Sequence, residues 1–313
     1  MAVGLEGANR YPDRFYRDLR RALGDWTGVE ADRLIVGNGA MEIIGICISI
    51  FEKIYLPTPT FSEYERIAKD LNKEIVTYPM SHPFRLNVDD FIAHMPEGAL
   101  VILTNPHNPT GYTLSPEEVE KIYEACVAQG GYLLCDETFL PFVRGGEEAH
   151  QAGLHRPKQI TVRAATKSHG LPGLRLGWAV MNDGLRDRFL KRQLPWSVNA
   201  VAEACGLCLK DCEAFMAKSR ELIGKERRKL LALFEESEIA EALPGEANFL
   251  LIRLKDVTAS SCFDYFLREG ILLRTFSEEP LKDEYFRMAI RDEKDNEAFR
   301  KLWMQFERSC RHV

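Results

Sequence analysis

One short segment, TKSHGLPGLRLGW (residues 166–178), contains Lys167 and Arg175 together with three glycines and a proline, which have small side chains or none. A lysine becomes a nucleophile only after losing its proton, so its pKa must fall from about 10.4 through desolvation or nearby positive charge. Arg175 could supply part of that charge while it chelates a phosphate. The alternative, a solvated loop lysine, is the commoner case for a lysine that stands alone.

A second signal is VGNGAMEII (36–44), in which glycines follow a strand and a helix opens at Ala40 and Met41. Free backbone N–H groups and the helix dipole favour an anion at such a position. We therefore predict a phosphate site there, although similar turns also occur without a ligand.

Two further signals end strands. In TNPHNPTG (104–111) two Asn-Pro steps fix the backbone, so that the Asn108 amide can donate to a ligand oxygen. In LLCDETF an apolar run delivers Asp136 to a strand end, where a buried carboxylate needs a cationic or N–H partner. A ligand's ring nitrogen or a helix N-terminus could be that partner. A rigid turn and a structural pairing are the alternatives.

The elements that position these residues alternate in type. Runs typical of strands lie at residues 33–37, 53–57, 74–79, 99–104, 131–136, 160–165 and 176–181. Amphipathic stretches separate most of them, including one opened by a capping box of Ser115 and Glu118. This alternation predicts an α/β fold with a mainly parallel sheet sandwiched by helices, and ligands bind such sheets at the carboxyl ends of the strands.

The order of predicted helices and strands changes near residue 210. A long charged helix (213–237) precedes strands at 248–254, 271–276 and 286–291, a helix at 260–269 and a closing helix. We predict a large domain over residues 12–210 and a smaller C-terminal α+β domain over 211–313, with a ligand cleft between them.

Composition limits the classes of function. The chain has 313 residues and a formal net charge of -6, which argues against nucleic acid and anionic membranes as partners. Neither a leader nor a membrane-length apolar run is evident, which indicates the cytoplasm. The eight cysteines show no paired framework. CGLCLKDC (205–212) could be a metal cluster, but we favour one buried helix face and predict no metal site.

Together, the order of these motifs resembles the fold-type I, pyridoxal 5′-phosphate (PLP) dependent class I/II aminotransferases over nearly the whole chain. Within that superfamily the resemblance is strongest to histidinol-phosphate aminotransferases and L-threonine-O-3-phosphate decarboxylases. It implies that Lys167 bonds covalently to PLP and that Arg175, with the backbone of Ala40 and Met41, holds the phosphate. It also implies that Asp136 keeps the ring nitrogen protonated, which makes PLP an electron sink.

The resemblance assigns four further residues, and Arg274 is a separate candidate with two interpretations. Asn108 matches the amide that bonds the ring's 3′-oxygen, and Phe61 matches the aromatic side chain stacked on the ring. Tyr11 matches a tyrosine that reaches the phosphate of the neighbouring subunit, which implies a homodimer with shared active sites. Arg287 matches the arginine that grips the substrate carboxylate. Arg274 either binds a substrate phosphate or pairs with an acid of its own domain.

Within the superfamily, four features favour decarboxylation of an O-phospho amino acid, which the resemblance connects with cobalamin biosynthesis. They are Thr166 before the lysine, PWSVNA (195–200), Arg291 at a position usually glycine in the aminotransferases, and Phe139 where those enzymes have a tyrosine. An aminotransferase of the histidinol-phosphate type is the alternative. A catalytically impaired PLP-binding scaffold is the alternative from another class.

Two features depart from the family. Ala164 stands where a serine or threonine usually contacts the cofactor phosphate, and the substrate-covering N-terminal arm has no counterpart beyond a remnant at residues 1–11. The remaining candidates have structural interpretations. We expect His169 to pack near the cofactor without acting as a second base, and His107 to be part of its turn.

Overall fold

The computed structural model describes residues 6–181 and 184–310. Its strands are β1 Leu34–Asn38, β2 Lys53–Thr58, β3 Glu74–Pro79, β4 Leu100–Thr104, β5 Tyr132–Asp136, β6 Gln159–Ala164, β7 Leu176–Met181, β8 Ala240–Ala242, β9 Phe249–Leu254, β10 Arg274–Thr275 and β11 Tyr285–Ala289. Its α-helices are α1 Arg17–Thr27, α2 Ala40–Ile50, α3 Glu63–Asp70, α4 Val88–Ala93, α5 Pro116–Ala128, α6 Gly146–Ala149, α7 Ala165–Ser168, α8 Leu185–Leu190, α9 Ala200–Gly206, α10 Glu213–Glu235, α11 Ala259–Arg268 and α12 Glu293–Cys310. Short 3-10 helices span Ala31–Arg33, Leu140–Phe142, Gln151–His155, Pro172–Leu174 and Leu209–Cys212.

Strands β1 to β7 form one sheet in the order β1-β7-β6-β5-β4-β2-β3. Strand β7 runs antiparallel to both of its neighbours, and the other adjacent strands of this sheet pair in parallel. Apolar side chains are buried on both faces of the sheet, which explains why LVILT of β4 is buried at every position. The predicted α/β fold with a mainly parallel sheet is therefore confirmed. The capping box that opens α5 is also present.

Strands β8 to β11 form a second, antiparallel sheet in the order β10-β11-β9-β8. Its core includes the fully buried Trp303 of α12, packed against Phe234, Phe266 and Phe286. Of the strand predicted at 271–276, only two residues form β10, an edge strand that pairs with β11 through two residue pairs. The prediction missed β8. The smaller C-terminal α+β unit is otherwise as expected.

The predicted domain boundary after residue 210 falls in the 3-10 helix Leu209–Cys212, directly before α10. The exact division into two domains stays a prediction. Residues 1–5 of the predicted arm remnant lie outside the described residues. Over the ranges 6–181 and 184–310, no helix is long and apolar enough to cross a membrane.

The prediction of one buried cysteine face in CGLCLKDC was wrong. Helix α9 ends at Gly206, so residues 205–212 do not continue as one α-helix. Cys208 is exposed, and Cys205 and Cys212 are only partly buried. No group of three or more potential metal ligands occurs among the residues that the structure describes.

Candidate active site

The first residues of α2 lie at the carboxyl edge of the large sheet, next to Arg175. Gly39 precedes the helix with φ 80°, and no side chain caps the helix. A Cβ on Gly39 would lie 2.5 Å from Nη2 of Arg175, so glycine lets the guanidinium approach. A Cβ on Gly177 of β7 would lie 2.5 Å from the Ala40 nitrogen. Glycines at these two positions therefore bring Arg175 and the N–H groups of α2 together, as expected for a phosphate site.

Asp136 ends β5 and is 6 % exposed. Its Oδ2 accepts a hydrogen bond of 2.6 Å from the Tyr64 hydroxyl, and its Oδ1 accepts one of 3.0 Å from the Thr138 N–H. The Thr138 hydroxyl also donates to Oδ1. Neither donor was predicted from the sequence. The spacing Asp-x-Thr is a signal for a local side chain-to-backbone bond, whereas Tyr64 gave no signal beyond that of a core residue.

Lys167 lies in the short helix α7, which directly follows β6. Its pKa is lowered, first by the partial burial of the amine, then by the positive charges of Arg287 and Arg175, while Asp136 opposes the shift. Three charged groups predicted for the site are thus close enough to act on the Lys167 amine. The Lys167 Nζ also lies 6.0 Å from the centre of the Phe139 ring. A lowered pKa provides more of the neutral amine that a nucleophile requires.

Asn108 and Arg287 meet although 179 positions separate them in sequence. Nη1 of Arg287 donates a hydrogen bond to Oδ1 of the buried Asn108. The guanidinium also lies 4.7 Å from the centre of the Phe249 ring. Burial lowers the pKa of Arg287 to about 10, with a further contribution from the charge of Arg274. The second sheet is therefore joined to the Asn-Pro turn at the candidate site.

Arg274 pairs directly with Arg287 across the ladder of β10 and β11. Both arginines line a cleft with Phe61 and Asn108, and the cleft has a volume of about 1070 Å³. Arg274 also acts on Glu63 of α3: the pKa of that carboxyl is held below its usual range first by the hydrogen bond from Arg66, against the opposing effect of burial, then by the charge of Arg66 and last by the charge of Arg274. Both alternatives for Arg274 stay predictions. Two like charges side by side repel each other unless an anion lies between them.

Phe61 lines the cleft. Its ring contacts the ring of Tyr64 edge to face, with 5.5 Å between the two ring centres. Tyr11 lies apart from the cleft: it is 81 % exposed and its ring centre is 4.8 Å from that of Trp196. Arg291 also points elsewhere, because it is exposed and forms an ion pair with Asp295 in the same chain segment. The geometry offers no contact by which Arg291 would distinguish one reaction from another.

The two histidines have structural surroundings. His169 is buried, with Nδ1 2.9 Å from the Ser168 hydroxyl and its ring edge against Trp26. His107 is buried in the turn, with Nδ1 2.8 Å from the Thr110 hydroxyl. Burial is the main cause that lowers the pKa of each. Neutral, packed histidines agree with the structural interpretation of both.

These residues fit PLP. An uncapped helix start beside a guanidinium suits its phosphate, and a lysine of lowered pKa suits its aldehyde. A buried carboxylate that forms no ion pair within the described ranges suits a protonated ring nitrogen. The remaining predicted contacts, from Asn108 and Phe61, line the cleft that Arg274 and Arg287 border. The individual roles of these side chains stay predictions.

Comparison with known proteins agrees with this chemistry. Residues 5–302 match the family described as "Aminotransferase class I and II". A protein of Caldanaerobacter subterraneus subsp. tengcongensis, named provisionally as a threonine-phosphate decarboxylase, is 33 % identical over 94 % of this chain and 83 % of its own length. A histidinol-phosphate aminotransferase of Chlorobium luteolum is 30 % identical over 91 % of this chain and 80 % of its own.

The crystal structure of the histidinol-phosphate aminotransferase from Clostridium acetobutylicum superposes with a TM-score of 0.91 at 27 % identity. The match covers 98 % of this chain and 93 % of that one. The predictions of a PLP enzyme and of relationship to both subfamilies are therefore confirmed. The chain belongs to the class I and II aminotransferase family and is a PLP-dependent enzyme, either a decarboxylase or an aminotransferase.

Proposed function

We propose that the chain removes the carboxyl group of an O-phosphorylated amino acid. The observation that carries this proposal is the direct pairing of Arg274 with Arg287 at the cleft. An O-phospho amino acid has two anionic groups, a carboxylate and a phosphate, and so offers one partner to each guanidinium. Histidinol phosphate has a phosphate and no carboxylate, so it would leave one arginine without an anion, whereas 2-oxoglutarate, the co-substrate of that alternative, has two carboxylates and would occupy both.

Arg287 is the arginine for the substrate carboxylate, as the resemblance implies. Its Nη1 is already held by Asn108, which fixes the guanidinium plane and leaves its other N–H groups to the substrate. Arg274 is exposed at the mouth of the cleft and suits the more distant phosphate. Two fixed anion contacts restrict the rotation of the substrate's Cα, and so determine which of its bonds is oriented to break.

When bound, PLP supplies an electron sink for the bond that breaks at Cα. Asp136 would hold the ring nitrogen, and Phe61 and Asn108 would restrict the plane of the ring. In decarboxylation the C–COO⁻ bond breaks and CO2 leaves, and Lys167 Nζ delivers the proton that replaces it on Cα. The lowered pKa of Lys167 suits an amine that first acts as a nucleophile and afterwards moves a proton.

We also propose a homodimer in which Tyr11 contributes to the partner's phosphate site. An exposed apolar surface supports this: Tyr11 is 81 %, Leu194 75 %, Phe15 62 % and Trp196 41 % exposed. Mixing Tyr11→Ala with Lys167→Ala chains tests the sharing of sites, because half of the sites in a mixed dimer would have both native residues. The mixture should regain activity that each variant lacks. A mixture no more active than its components would contradict shared sites.

The reaction is tested with two substrates. The purified holoenzyme is incubated with threonine phosphate and CO2 is measured, and separately with histidinol phosphate and 2-oxoglutarate and glutamate is measured. CO2 without glutamate supports the proposal. Glutamate without CO2 would establish the aminotransferase alternative, and no product from either would favour the scaffold alternative or another substrate.

The role of Lys167 has its own test. Lys167→Ala should lose the yellow colour of the covalently bound cofactor, while Lys191→Ala, at an exposed lysine, should keep it. An unchanged spectrum for Lys167→Ala with added PLP would contradict the assignment.

A further inference from the structure

The carboxylate of Asp136 is held by neutral hydrogen-bond donors only. Tyr64 donates to Oδ2, whereas the N–H and hydroxyl of Thr138 both donate to Oδ1. All three residues are buried: Tyr64 is 1 %, Asp136 6 % and Thr138 7 % exposed. Across residues 6–181 and 184–310, no basic side chain forms an ion pair with Asp136, whereas the adjacent Glu137 is paired with Arg163.

The direction of the hydrogen bonds at Tyr64 can be assigned. Its oxygen lies 2.6 Å from Asp136 Oδ2 and 3.1 Å from the Thr104 hydroxyl. An ionised carboxylate can only accept, so the Tyr64 proton is directed to Asp136 and the Thr104 hydroxyl donates to Tyr64. Thr104 ends β4 directly opposite Asp136 in the ladder with β5. The result is an oriented chain from Thr104 through Tyr64 to Asp136, in which each bond strengthens the next.

Tyr64 remains a donor at every physiological pH. Burial raises its pKa well above the ordinary value, and the charge of Asp136 raises it further. The phenol is therefore protonated whenever Asp136 is ionised.

We propose that Tyr64 and Thr138 are positioning residues that keep the negative charge on Asp136 and thereby keep the proton on the cofactor's ring nitrogen. This inference rests on the proposed function, in which Asp136 faces that nitrogen. A proton between a carboxylate and a ring nitrogen resides on the nitrogen when the carboxylate is the weaker base. Hydrogen bonds donated to a carboxylate stabilise its charged form relative to its protonated form. Donors on both oxygens also prevent the carboxylate from rotating.

The test measures the proton directly. The holoenzyme is reconstituted with PLP labelled with ¹⁵N at the ring nitrogen, and the ¹⁵N chemical shift is recorded for the wild type, Tyr64→Phe and Thr138→Val. Each lost donor should move the proton equilibrium about tenfold toward Asp136, and the signal toward that of unprotonated pyridine. The dissociation constant of PLP should also rise in both variants. Thr138→Ser keeps the hydroxyl and should restore the wild-type signal.

Tyr55→Phe is the matched control. Tyr55 is a fully buried tyrosine of β2, in the sheet that also carries Asp136. Its hydroxyl donates a hydrogen bond of 2.8 Å to the Phe91 carbonyl instead of to Asp136. It should leave the ¹⁵N signal unchanged. If Tyr64→Phe does not fold, the comparison of Thr138→Val with Thr138→Ser decides the question.

Asp136→Asn separates this inference from the proposed function. If Asp136→Asn moves the signal while Thr138→Val and Tyr64→Phe leave it at the wild-type position, the inference on the donors is overturned and the role of Asp136 stands. If Asp136→Asn leaves the signal unchanged, the placement of Asp136 at the ring nitrogen is wrong, and the inference is overturned with it.

Discussion

His107 lies in the turn that carries Asn108, and burial lowers its pKa from 6.5 to about 4. Folding therefore disfavours the protonated imidazole. As the pH falls, the unfolded chain takes up this proton before the folded chain does. The part of the unfolding free energy that depends on a neutral His107 is therefore fully present above pH 6.5 and is lost between pH 6.5 and 4. The full difference corresponds to about 3.4 kcal/mol, from about 1.36 kcal/mol for each unit of pKa. At pH 5 the loss is about 2 kcal/mol.

His107→Asn isolates this effect. Asparagine keeps a polar atom near the position of Nδ1, which contacts the Thr110 hydroxyl at 2.8 Å, but it does not titrate. The variant should be less stable than the wild type at pH 7.5 because it fills less of the buried site. That deficit should shrink by about 2 kcal/mol at pH 5, since only the wild type is penalised by protonation.

The assay is urea unfolding followed by tryptophan fluorescence, with PLP at saturation, at pH 7.5 and pH 5. Only the difference between the two chains is used, so that titration of all other groups cancels. His155→Asn, at an exposed histidine, controls for the loss of one histidine. A deficit for His107→Asn that is the same at both pH values would refute the reasoning.

Three further outcomes are expected. Glu137→Gln leaves the buried Arg163 without its closest partner and should lower the free energy of unfolding by about 3 kcal/mol, measured in urea. Gly177→Ala should push α2 away and raise the PLP dissociation constant about tenfold, a loss of about 1.4 kcal/mol in binding free energy, whereas a Cβ at Gly173, in the loop before β7, meets no atom within 4 Å, so Gly173→Ala should bind PLP normally. Arg274→Gln should raise KM for threonine phosphate about tenfold or more with a smaller effect on kcat. An unchanged KM would contradict the assignment of the substrate phosphate to Arg274.

The sequence predicted those features of the site that depend on residues close together in the chain. Strand ends, the Asn-Pro turn and the glycine-rich turn before α2 are local patterns, and they led to Asp136, Asn108 and Ala40. The lysine and arginine of one loop were likewise visible as a pair. Their convergence is a tertiary property, but it follows from the rule that parallel strands present their carboxyl ends at one edge.

Contacts between distant segments were not predictable in this way. Tyr64 approaches Asp136 across 72 positions, and its place in an amphipathic helix is equally typical of a core residue. The hydrogen bond between Asn108 and Arg287 depends on how the second sheet meets the first. The cysteine prediction failed because α9 ends at Gly206, where a Cβ would lie 2.4 Å from Cδ1 of Leu19 in the distant helix α1.

The antiparallel direction of β7 makes the loop between β6 and β7 a spacer of fixed length. Ala164 pairs with Gly177, so the ladder fixes both ends of the segment that carries Lys167 and Arg175. An inserted residue could not be absorbed by a shift in register, because β7 is buried on both faces and a one-residue slip would exchange them. The distance between amine and guanidinium is thus set by the sheet. We expect engineering of substrate range to tolerate changes around Arg274 in the second sheet, and to fail when this loop is lengthened or shortened.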